Sequence, residues 1–65
     1  MTADQSLLIA QLKRHPMPAL SLAHLLGWPL DSVYVELVAL EAQNKARVVV
    51  TYSNSVVLHK EWEAK

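Results

Sequence analysis

The stretch from Leu20 to Asn44, LSLAHLLGWPLDSVYVELVALEAQN, decides the fold. Its second half is the longest periodic segment in the chain. Val33, Leu37 and Leu40 recur at helical spacing, and Asn44 follows as a residue suited to a left-handed C-terminal cap. The spacing predicts a helix over 32–44 with Asp31 as its N-cap. Its first half predicts a helix of barely two turns. Ser21 is the candidate N-cap, Leu22 to Leu26 the body, and Gly27 the left-handed stop. So short a helix does not nucleate alone and must be held by packing. Trp28, Pro29 and Leu30 form the tight connection between the two.

Upstream, Thr2 and Gln5 have the spacing of a capping box. Leu8, Ile9 and Leu12 make an apolar stripe, and Lys13 and Arg14 sit where cations favour the helix dipole. Pro16 disfavours helical geometry at His15, so a helix is predicted over 3–14. The proline-flanked segment 18–20 reads as a short strand at a sheet edge. Downstream of Asn44 the period switches to two. Ala46, Val48, Val50 and Tyr52 alternate with Arg47, Val49 and Thr51. After Ser53, Asn54 and Ser55, Val56 and Leu58 share a face with Trp62, so a β-hairpin is predicted. A three-residue loop would pair 52 with 56, 50 with 58, 48 with 60 and 46 with 62, setting Ala46 opposite Trp62.

Composition narrows the function classes. The chain has 65 residues, which predicts a single domain over 1–65. It is 52% hydrophobic and 18% charged, too apolar for a disordered tail. It holds no apolar run long enough to cross a membrane, and its first residues lack a signal-peptide layout, so the expected location is cytoplasmic. It has no cysteine, which excludes disulfides and thiolate metal sites, and one glycine, which excludes a glycine-rich phosphate loop. His15, His24 and His59 lack the spacing of a ligand pair, and no elbow motif surrounds a serine. The core is too small to enclose a substrate pocket. No enzyme, metal, cofactor or small-molecule substrate is therefore expected.

Helix, edge stub, short helix, tight turn, longer helix, hairpin: this α+β order resembles the winged helix-turn-helix domain. The matching residues run from Leu20 to Gly27, then Trp28 in the apolar slot after the glycine, then Val33, Leu37, Leu40, Glu41 and the run Asn44 to Val48. Asn44 stands where that family typically has glycine. The resemblance implies a recognition helix over 32–44 and a wing with its tip at Ser53, Asn54 and Ser55. It further implies a double-stranded-DNA-binding regulator acting as a dimer. Carried over, the DNA-facing positions are Ser32, Tyr34, Val35, Glu36, Ala39 and Gln43, with Asn54 at the tip. Lys45 and Arg47, where the helix passes into the wing, are the phosphate contacts; the alternative for both is a solvated polar edge.

Two features depart from that pattern. Six Lys and Arg balance six Asp and Glu, so no bulk attraction to nucleic acid is expected. Residues 31–44 hold Asp31, Glu36 and Glu41 but no Lys or Arg, whereas phosphate contacts ordinarily come from cations. Stepped at about 100° per residue, Val35, Val38, Ala39 and Ala42 also cluster opposite Val33, Leu37 and Leu40. A helix apolar on two sides either has a broad core contact or carries a second binding surface. Two functions stay open on the sequence. One is DNA binding. The other is protein interaction through Val35, Val38, Ala39 and Ala42, with a homodimer as one form that would also relieve the small core.

Overall fold

The computed structural model describes residues 2–65. Three helices are followed by a two-stranded antiparallel hairpin: α1 (Ala3–Arg14), α2 (Ala19–Leu26), α3 (Leu30–Ala42), β1 (Ala46–Ser53) and β2 (Val56–Ala64). This is the α+β layout of a winged helix. Among the described residues, no helix is long and apolar enough to cross a membrane.

Helix α1 begins with the predicted capping box. Gln5 N–H donates to Thr2 Oγ1, and Thr2 N–H donates to Gln5 Oε1, both at 3.2 Å. The helix buries Gln5, Leu8, Ile9 and Leu12 and ends at His15, whose backbone is extended ahead of Pro16.

The starts of α2 and α3 correct the sequence reading. Ser21 and Asp31 cap nothing; Pro18 and Pro29 precede the first helical residues, with no side-chain cap at either. Proline suits these positions because its fixed φ is already helix-compatible and its missing N–H would have had no helical partner. The predicted strand at 18–20 is likewise displaced. Ala19 and Leu20 are helical, and the edge pairing falls on Met17, which bridges Trp62.

Both helices end by one device. Gly27 lies at φ +68° and Asn44 at φ +62°. Each turns the chain so that the next N–H reaches back five residues: Trp28 N–H to the Ala23 carbonyl (3.0 Å) and Lys45 N–H to the Leu40 carbonyl (2.9 Å). Asn44 thus supplies, without being glycine, the left-handed turn that ends α3.

The hairpin forms in a different register from that expected. Asn54 (φ +50°) and Ser55 (φ +66°) make a two-residue turn of the left-handed kind that suits twisted strands. Ser53 faces Val56 and Tyr52 faces Val57; then Thr51 faces His59, so Leu58 is an extra residue at a bulge. From there to the base the pairs run Val50 with Lys60, Val48 with Trp62 and Ala46 with Ala64. Residues 51–60 are all exposed, so no core contact selects the register of the tip. Turn chemistry decides it. Among the described residues no strand lies beside the outer side of β1.

The core lies between the helices and the hairpin base. Leu8, Leu22, Val33, Leu37 and Leu40 are fully buried, each worth about 1.5–3 kcal/mol of transfer free energy. Ile9, Leu12, Met17, Ala19, Ala23, Ala46 and Trp62 complete it. Helix α3 touches α1, α2 and β1, while β2 touches α1. At the far end, Lys65 closes the junction of α3 and β1: its N–H donates to the Lys45 carbonyl (3.0 Å) and its Nζ to Asn44 Oδ1 (2.8 Å).

Candidate partner surface on the third helix

Helix α3 is bound to the core by one stripe only. Val33, Leu37 and Leu40 are 0% exposed, which fixes the helix's rotation and turns the opposite side outward. On that side Val35 is 65% exposed, Val38 55% and Tyr34 45%. A broad core contact would have covered Val35 and Val38, so that explanation of the two-sided apolar pattern does not hold. Ala42 is exposed with them, and Ala39 is half-buried. Lone exposed apolar side chains are ordinary; here several share one helix face.

The positions proposed for DNA contact fall in different settings. Ser32, Tyr34, Gln43, Lys45 and Arg47 are exposed, and Asn54 is exposed in the hairpin turn. Gln43 is engaged within the fold, its Nε2 donating to Gln5 Oε1 at 3.3 Å. Arg47 is paired across the hairpin with Glu63, its Nε donating to Glu63 Oε1. Lys45, exposed where α3 passes into β1, forms no ion pair among the described residues. Helix α3 itself carries acids, Asp31, Glu36 and Glu41, and no base.

Glu36 is half-buried, and its Oε2 is closed off from solvent with no hydrogen-bond partner. It lines a cleft of about 410 Å³ between the first turn of α1 and the first two turns of α3, with Asp4, Trp28, Pro29, Ser32 and Val35 as the other walls. Trp28 packs against the core and also lines this cleft. The sequence pattern places Trp28 in the apolar slot after Gly27 and gives Asp4 no role. Asp4 on α1 and Glu36 on α3 come to line one cleft through the packing of the two helices, which no local sequence pattern displays.

The hairpin's outer half carries a second apolar area: Val56 and Leu58, expected to share a face with Trp62, are separated from it by the bulge at Leu58 and lie exposed. Tyr52, Val56, Val57 and Leu58 are all exposed there. The signal was present as consecutive apolar residues beside a polar turn.

Compared with family models, with curated proteins and with solved structures, the chain matches none.

Proposed function

We propose that this chain is a winged-helix interaction module that docks a protein partner on the outward face of α3. One observation carries the reading: Val35 and Val38 lie 65% and 55% exposed on a helix that holds three acids and no base. Apolar area at this site supplies affinity, with Tyr34 beside it as the kind of aromatic anchor that dominates interface energetics. The absence of a cation on α3 removes the usual source of phosphate attraction.

Binding of double-stranded DNA, as a dimeric regulator, is the second reading. It draws on the winged-helix layout, an analogy of fold rather than of site. It also draws on exposed Lys45 and on the exposed polar turn at Asn54.

One set of measurements separates the two. Solution mass over a concentration series, for the native chain and for Val35→Glu and Val38→Glu, reports self-association through α3. Native-like folding of both variants is expected, with loss of any association through α3 or partner binding the native chain shows. Unfolding of the variants would place the valines in the core and end the interaction reading. A duplex shift at low ionic strength that disappears steeply with salt would favour DNA instead.

A further inference from the structure

We propose that the outer edge of β1 pairs with the same edge of a second copy of this chain, antiparallel about a two-fold axis at Val49, to make a four-stranded sheet. This edge is separate from the outward face of α3, and the pairing stands whether or not that face docks a partner.

The backbone pattern shows which groups are free. Trp62 exchanges both of its backbone hydrogen bonds with Met17. Val48 lies opposite Trp62, so the two form a non-hydrogen-bonded pair and the N–H and C=O of Val48 point outward from β1. The base of the hairpin agrees with that alternation, because Lys65 N–H meets the Lys45 carbonyl. Two residues beyond Val48, Val50 repeats the outward orientation. Among the described residues no strand pairs with these groups. A row of free N–H and C=O groups is satisfied by an extended strand.

The hairpin itself calls for that strand. Residues 51–60 are all exposed, and a two-stranded hairpin standing alone in water is only marginally stable, whereas further strands hold it. The two edges are differently protected. Strand β2 meets Met17 at Trp62, then carries Lys60, then the bulge at Leu58. From Val48 to Leu58, by contrast, the chain holds no charged residue. Strand β1 is the edge left open. Once it is paired, both outer edges of the sheet are the protected β2 strands, so the assembly closes at two copies.

The residues of β1 suit their own copy. An axis at Val49 sets Val49 beside Val49, pairs Val48 with Val50 and puts Arg47 opposite Thr51; an axis at Arg47 would set cation against cation. The same register places Tyr52 opposite Ala46 of the second copy, where α3 passes into β1. Tyr52 is 63% exposed and shares the strand face of Ala46, Val48 and Val50. The apolar outer hairpin of each copy therefore lies beside the helical end of the other. A net charge of zero leaves no overall repulsion between copies.

The test uses the full chain, in sedimentation equilibrium and in amide hydrogen exchange followed by NMR. A monomer–dimer equilibrium is expected, with a dissociation constant on the order of 10–100 µM for an interface this small. The amides of Val48 and Val50 should exchange about fivefold more slowly in concentrated than in dilute chain. The amide of Val49, which faces β2, should exchange equally in both. Val49→Lys should keep the native circular dichroism and weaken dimerisation at least about tenfold. Val38→Glu, on the outward face of α3, should dimerise as the native chain does. A monomer at every concentration up to about 1 mM would overturn the proposal. So would a dimer that leaves exchange at Val48 and Val50 unchanged. Association lost in Val38→Glu and kept in Val49→Lys would assign the contact to α3 instead. Should Val49→Lys unfold, exchange at Val48 and Val50 of the native chain decides alone.

Discussion

Met17 and Trp62 exchange both backbone hydrogen bonds: Met17 N–H to the Trp62 carbonyl at 3.1 Å, and Trp62 N–H to the Met17 carbonyl at 2.8 Å. This single bridge ties the chain between α1 and α2 to the base of the hairpin, and both side chains are in the core. Trp62→Ala should cost about 3–5 kcal/mol. A domain this size has about 3–10 kcal/mol in total. Thermal or urea denaturation followed by far-UV circular dichroism should show the variant largely unfolded, with Trp62→Phe intermediate.

The left-handed stops make opposite predictions. A Cβ at Gly27 would meet nothing within 4 Å, so Gly27→Ala reports the φ of +68° and little else. It should lose about 1–2 kcal/mol. Asn44→Gly relieves the same strain at φ +62° and should gain a few tenths of a kcal/mol or more, less what is lost with the Lys65 contact. Urea midpoints of the two variants, measured against the native chain, check both signs.

The two sides of α3 should respond differently to substitution. Leu37→Ala removes a fully buried side chain and should cost about 2–5 kcal/mol. Val35→Glu and Val38→Glu sit on the exposed side and should change stability by no more than about 0.5 kcal/mol. Chemical denaturation of the three variants tests this directly, whatever binds the face.

Arg47 and Glu63 form a cross-strand ion pair in which the arginine side chain is 61% exposed. Screening by solvent leaves such pairs little net effect. A double-mutant cycle with Arg47→Ala and Glu63→Ala should give a coupling of about 0.2–1 kcal/mol, falling as salt is raised.

Much of the fold was legible in the residues. The capping box at Thr2 and Gln5, the stop before Pro16, the left-handed positions at Gly27 and Asn44 and the stripe Val33, Leu37 and Leu40 all depend on local chemistry, and local chemistry is what a sequence displays. The starts of α2 and α3 were misread because serine and aspartate offered side-chain caps, whereas proline at 18 and 29 had already set the backbone. The hairpin register was misread for a different reason. Apolar alternation predicts register only where one face is buried, and beyond Val50 neither face is. That Val35 and Val38 lie opposite Val33, Leu37 and Leu40 was legible from helical angles, but their exposure was not, because a broad core contact would have given the same pattern. The cleft was not legible either, because Asp4 and Glu36 come to line it only through the docking of α1 on α3.

Among the described residues, the outer side of β1 runs past Val48, Val49, Val50, Thr51 and Tyr52 with no strand beside it, and that stretch holds no proline and no lysine to guard it. Left unpaired, such a border is a template on which further copies can add rung by rung, in the manner of a fibril. Concentrated stocks of the chain should therefore be handled as material able to seed its own precipitation. A lysine in place of Val49, whose side chain is exposed, is the economical way to keep it dispersed.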